Sequence, residues 1–132
     1  MADILIPEGI IVSTVDKDGN KQEYMSHKEY VNIPLVILVN GASASASEIL
    51  ACAVQDHGVG TIVGTKTYGK GLIQRAYTIE NGGAIKVTVG EYFSPNGNKI
   101  DKVGVMPDVQ IEYNYNEQID TQLNKAIEIL NK

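Results

Sequence analysis

The sequence predicts an α/β domain, and three observations predict it. Residues Ile33 to Val39 form the uninterrupted apolar run IPLVILV, the pattern of a strand buried on both faces in a sheet covered by helices. After a short turn, Ile49, Leu50, Ala53 and Val54 fall at helical spacing within Ala46 to about His57, and Gly58 sits where a C-terminal cap belongs. On either side lie β-branched stretches broken by glycine-bearing turns.

Each remaining element follows from local chemistry. In GIIVSTVDKDGNKQEYMS, two alternating stretches flank Asp18-Gly19-Asn20, which predicts a hairpin at the periphery of the fold. TIVG is a short strand and TKTYGKG a glycine-bearing loop. Two strands follow around Asn81-Gly82-Gly83, forming a second hairpin that ends in the turn Pro95-Asn96-Gly97. Ile119, Leu123, Ala126, Ile127 and Leu130 make one apolar stripe, so the last dozen residues are expected to form an amphipathic helix. Internal repeats and low-complexity segments are absent from the sequence.

Composition narrows the function classes. A chain of 132 residues supports a single core, and 43% hydrophobic with 20% charged residues describes a folded domain. The net charge is -5 and the 11 Lys and Arg are scattered without a basic stripe, which argues against a nucleic-acid partner. One cysteine permits neither an intrachain disulfide nor a cysteine-based zinc cluster. No apolar run approaches the ~20 residues of a membrane span, and MADILIPEGI lacks a basic region followed by an apolar stretch, so no export signal is readable.

The stretch VNGASASASEIL, between the apolar strand and the helix, poses the functional question. A strand, a short turn and a helix can lift a nucleophilic serine to the top of a sheet. Ser45-Ala46-Ser47-Glu48 is also a capping box, and by residue pattern alone capping is favoured over catalysis. The GxSxG elbow is missing, because alanines flank Ser45.

A nucleophile needs a base within reach. His57, beside Asp56, is separated from Ser45 by twelve residues of helix, or ~18 Å at 1.5 Å per residue, which excludes a Ser45-His57-Asp56 triad. His27 lies in a polar stretch and reads as a solvated loop histidine, and Cys52 lies in the apolar helix and reads as a small buried residue. Lys70, between two glycines in TYGKGLIQ, is placed to carry its amine toward the top of the helix. It can act as a base only in its neutral form, which requires burial or a neighbouring positive charge and an acceptor to orient it. Gln74, four residues on, could supply that acceptor from the same strand face. The segment GTKTYGK also matches the start of a phosphate-binding loop, but residue 71 is Gly in place of Ser or Thr and a strand-like run follows instead of a helix.

Taken together, SASASEI, QDHG, VGTKTYGKGLIQ and GVMPDV closely resemble the C-terminal processing (tail-specific) serine peptidases, and the resemblance covers essentially the whole chain from Ile4. It implies a ClpP/crotonase-type α/β fold with a mixed sheet and packed helices. It also implies that Ser45 is the nucleophile, Lys70 its general base and Gln74 the residue that orients the lysine. Ser43 and Ser47 then serve as supporting small residues, and the Ala46 amide is the expected oxyanion donor at the helix N-terminus. Asp56 matches a family position, but the helix length keeps it structural in our reading. Neither a metal nor an organic cofactor is implied. The expected partner is a protein or peptide substrate bound as an extended strand. By the same resemblance, residues 1–132 are the C-terminal portion of a peptidase catalytic domain. An Asn-Pro-Gly-Gly loop with a second oxyanion donor and a PDZ domain are expected upstream of this segment, in an extracytoplasmic or membrane-anchored parent. Two alternatives accompany this reading: an inactive fragment that self-associates through exposed edges, and a nucleotide-binding module.

Overall fold

A computed structural model describes residues 1–114 and 119–132. In chain order the elements are α1 (Ala2–Leu5), β1 (Ile10–Asp16), β2 (Lys21–Met25), β3 (Val36–Val39), α2 (Ala46–Asp56), β4 (Thr61–Gly64), β5 (Leu72–Thr78), β6 (Ala84–Phe93), β7 (Val109–Gln110) and α3 (Thr121–Leu130). The two strand directions expected of an α/β fold are divided between two sheets. One is antiparallel with order β2-β1-β6-β5, and the other is parallel with order β3-β4-β7.

Both predicted hairpins form. In the first, the Asp16 carboxylate accepts the amides of Asp18 (2.8 Å) and Asn20 (2.9 Å), and Gly19 turns the chain at φ +84°. This is turn chemistry that Asp and Gly supply at little steric cost. The hairpin is less peripheral than expected, because β1 is an interior strand paired with both β2 and β6, with Val12 and Ser13 buried. In the second, Asn81 and Gly82 take the positive φ values that close β5 onto β6.

Helix α2 packs against both sheets. Ala51, Cys52, Ala53 and Val54 are buried on it, and they join Val39 and Ile62 of the parallel sheet and Ile6, Ile100 and Val105 in one cluster, with Ile11 and Tyr92 of the antiparallel sheet packed alongside. Small side chains on α2 let both sheets approach it closely. Three carboxylates hold its surroundings, and two of them act at its C-terminal end. Asp56 accepts from the Ser94 hydroxyl (2.5 Å) and the Asn96 amide (2.9 Å), so it pins the turn after β6. Asp108 accepts from Gln55 Nε2 and the Ile62 amide, both at 2.7 Å, and so ties α2, the start of β4 and the approach to β7 together. The third carboxylate, Glu48, belongs to the candidate site.

Two expectations are corrected. The apolar run yields only the four-residue strand β3, and it lies at the edge of its sheet with β4 in the middle; Leu38 is 41% exposed and Ile33 54%. Hydrophobic continuity reports burial demand, and here one side of that demand is unmet within the described residues. Helix α3 forms as expected and packs on β3 and β4, but its stripe is only partly covered: Ala126 is buried, while Leu123, Ile127 and Leu130 remain about half exposed.

Glycines fix the closest approaches. A Cβ on Gly71 would meet the Asp101 backbone nitrogen at 2.3 Å and its Cα at 2.8 Å, whereas one on Gly41 would find nothing nearer than 3.9 Å. Gly71→Ala should therefore lower stability by ~1–3 kcal/mol and Gly41→Ala by less than ~0.5 kcal/mol, compared by urea denaturation midpoints at equal slope. Equal effects would show that loop 101–104 does not hold the Gly-Lys-Gly segment as tightly as the backbone contacts require.

Candidate active site

Strand β3 ends at Val39, and a five-residue turn leads to Ser45, the N-cap of α2. In that turn the Ala42 amide donates to the Asn40 side chain (2.9 Å) and the Asn40 amide to the Ser43 hydroxyl (3.1 Å), so Ser43 does support the loop. Ser45 has φ 56° and ψ -114°, a conformation rare for any residue but glycine. Holding a serine there costs on the order of 1–3 kcal/mol. A strained strand-to-helix turn is thus present at Ser45 without flanking glycines.

Glu48 offsets that strain. Its side chain is completely buried, yet its carboxylate is fully engaged. Oε2 accepts the Ser45 amide (2.9 Å) and the Lys70 amide (2.8 Å), while Oε1 accepts the Gly69 amide (2.6 Å) and the Thr67 hydroxyl (2.5 Å). Bonds to a charged acceptor contribute about 1.5–3 kcal/mol each. Two amide nitrogens on one oxygen cannot be farther apart than the sum of those two lengths, so Glu48 clamps the main chains of Ser45 and Lys70 side by side. The capping box expected from the sequence is therefore one half of a larger construction. Its other half, the anchoring of residues 67–70, had no signal beyond an acidic residue three positions after Ser45.

The same bonds dispose of the phosphate-loop match. The Gly69 and Lys70 amides, which would have to cradle a phosphate, already serve a carboxylate, and strand β5 follows in place of a helix. At the start of α2 the amides of Ser47, Glu48 and Ile49 go to the carbonyls of Ala44, Ser45 and Ser45. Among the described residues this leaves the amide of Ala46, an exposed residue, without an acceptor, at the positive end of an eleven-residue helix.

The flanking glycines explain why Lys70 stands between them. Gly69 has φ +87°, and a Cβ there would meet the backbone of Lys102 and Gly104 at 3.1–3.2 Å. Gly69 O accepts the Lys102 amide (2.8 Å), and Thr67 exchanges bonds with the main chain of Val105. Lys70 itself is exposed, so the described residues do not supply the burial a neutral lysine needs. Gln74 is also exposed, on β5, and the register shift between Ile73 and Gln74 breaks the simple alternation that would relate it to Lys70.

The other candidates sit elsewhere. His57 Nε2 lies 2.8 Å from the Ile10 carbonyl, which can only accept, so that nitrogen carries a proton and braces β1. His27 is an exposed loop residue whose amide and ring bond Asp3; the backbone amide is the first cause that holds the Asp3 carboxyl below its usual value. Burial, then the charges of Asp56 and Glu48, push the Cys52 thiol up to about 12. No group of three or more His, Cys, Asp or Glu among the described residues is arranged to hold a metal ion, and no helix there is long and apolar enough to cross a membrane. A cavity of about 560 Å³ opens at the C-terminal ends of β3 and β4, bounded by Asn40, Gly41, Ala42, Thr65 and Glu112. In parallel sheets that end is where ligands bind.

Residues 1–111 match the family model described as peptidase family S41. The chain belongs to peptidase family S41. Among curated relatives, the S41 segment is 45% identical over 113 residues to a carboxyl-terminal-processing protease of Synechocystis sp., covering 85% of this chain and 26% of that one. It is 41% identical over 114 residues to the chloroplastic C-terminal processing peptidase of Tetradesmus obliquus, covering 85% and 25%. Among solved structures, a photosystem II D1 C-terminal processing protease superposes with a TM-score of 0.81 at 38% identity, covering 99% of this chain and 34% of that one. The chain therefore spans about a quarter of the length of the curated relatives it matches, and its α/β architecture is that of S41 proteases.

Two outcomes follow from this geometry. Glu48→Gln places an amide group against two of the four donors, and should lower stability by ~2–4 kcal/mol, read from urea denaturation; a loss below ~1 kcal/mol would mean that the carboxylate is dispensable. Cys52 should resist iodoacetamide at pH 8 in the folded chain, since a thiol near 12 is about one part in ten thousand ionised there, and should react on denaturation. Rapid alkylation of the native chain would contradict its burial.

Proposed function

We propose that this chain is the C-terminal part of the catalytic domain of a serine endopeptidase that cleaves proteins near their C-termini. Ser45 is the nucleophile, Lys70 the general base and Gln74 the acceptor that orients the lysine. The observation that carries the reading is the shared Glu48 oxygen, which sets the Ser45 and Lys70 main chains side by side at the positive end of α2. Family membership and the names of the relatives support proteolytic processing of C-termini.

In the proposed mechanism an extended substrate segment adds to a sheet edge beside Ser45. Neutral Lys70 takes the Ser45 proton as Oγ attacks the scissile carbonyl carbon, and the carbonyl oxygen becomes an oxyanion facing the Ala46 amide. Collapse breaks the C–N bond, the leaving amine takes the proton from Lys70, and an ester forms on Ser45. Lys70 then draws a proton from water, which hydrolyses the ester and restores the serine. The burial that keeps Lys70 neutral comes from substrate and from the rest of the parent chain, which also carries the second oxyanion donor and a PDZ domain. The parent works outside the cytoplasm or on a membrane, a location that fits relatives named chloroplastic.

The exposure of Lys70 favours a second reading, in which this segment alone is folded but inactive. The open β3 edge, with Leu38 and the α3 stripe, supports self-association of such a segment. Intact mass after fluorophosphonate treatment decides between the readings. One adduct mapped to Ser45 and lost in Lys70→Ala supports the dyad; no adduct in either chain supports the inactive segment. Sedimentation at increasing concentration should show growing oligomers, and a concentration-independent monomer would contradict self-association.

A further inference from the structure

Between Thr67 and Gly69, both held by Glu48, stands Tyr68, which is 69% exposed. Its backbone is fixed from three directions. The Tyr68 amide donates to Ser43 O (3.0 Å) in the turn that carries Ser45. The preceding residue is bonded to Val105, and the following one to Lys102 and Glu48. The most exposed tyrosine among the described residues is therefore mounted on a heavily anchored loop, two residues from Lys70 and one hydrogen bond from the serine turn. Such a ring offers a large apolar face with only two side-chain torsions to immobilise. Loop 102–104, which packs its backbone on Gly69, carries the half-exposed Val103.

We infer that Tyr68 is a substrate-positioning residue, and that its ring takes up a bulky apolar side chain of the extended peptide next to the scissile bond. This rests on the serine-peptidase reading of the site. Because Tyr68 lies outside the core, Tyr68→Ala is expected to leave the fold intact. A peptide held on it arrives with its carbonyl already beside the start of α2, so the gain is in orientation as well as in contact area.

The test compares two Ser45-directed reagents on the full chain: a plain alkyl fluorophosphonate, which has no peptide to dock, and a peptidyl phosphonate with leucine next to the phosphorus. Tyr68→Ala should label with the alkyl reagent at the wild-type rate and with the peptidyl reagent at least ~10-fold more slowly, about 1.4 kcal/mol. Tyr68→Phe should match the wild type with both, and replacing leucine by glycine in the reagent should erase the difference between the wild type and Tyr68→Ala. Equal peptidyl labelling of wild type and Tyr68→Ala, with alkyl labelling intact, overturns the inference and leaves the serine reading standing. Failure of the wild type to label with either reagent supports the inactive-segment reading and overturns the inference for this chain.

Discussion

The structure depends on one buried carboxylate. Glu48 lies wholly out of solvent, and an unpaired carboxylate in that position costs several kcal/mol. Four donors, three of them 19 to 22 residues further along the chain and one three residues back, make the burial tolerable. Three of these donors are backbone amides, whose positions are set by the path of the chain and not by rotamer choice. The carboxylate therefore specifies geometry: with any of the four displaced, a buried polar group is left without its partner.

That constraint explains the local features that otherwise look costly. The left-handed φ of Ser45 persists because its amide must face Glu48, and the glycines on both sides of Lys70 are required because loop 101–104 closes on the same segment from the other side. Thr67 links the two supports, donating to Glu48 and accepting the Val105 amide through one hydroxyl. Strain at Ser45, close packing at Gly71 and the anchored ring of Tyr68 are thus consequences of one clamp, and the chemistry proposed for the S41 segment is assembled on it.

Much of this was legible in the sequence. The hairpins around Gly19 and Gly82, helix α2 and its Gly58 end follow from turn chemistry and apolar spacing, which act over a few residues. Motif resemblance drew attention to Ser45 and Lys70, whose amides meet on one Glu48 oxygen, and to Gln74, which lies exposed on β5, and helix length alone separated His57 from Ser45. What sequence could not give depends on contacts between distant segments. The placement of β3 at an edge follows from which strands surround it, and β7 is a two-residue strand defined by its pairing with β4. The strained turn at Ser45 arises without flanking glycines. Glu48 reads locally as a cap, and only the fold brings Thr67, Gly69 and Lys70 to it. The bulge before Gln74 likewise undoes the alternation that even spacing from Lys70 implies.

The most direct measurement of the clamp is residue-resolved amide hydrogen exchange on the wild type and on Glu48→Gln, followed at Ser45, Gly69 and Lys70. These three amides come from two separate segments, and only a shared acceptor makes their protection interdependent. All three should be protected in the wild type, and in the variant either the Ser45 and Lys70 amides, which share Oε2, or the Gly69 amide on Oε1 should lose protection, while amides within α2 beyond its first turn and within β4 keep theirs. Unchanged protection at Ser45, Gly69 and Lys70 in a folded Glu48→Gln chain would contradict the claim that this carboxylate holds the serine and lysine segments together.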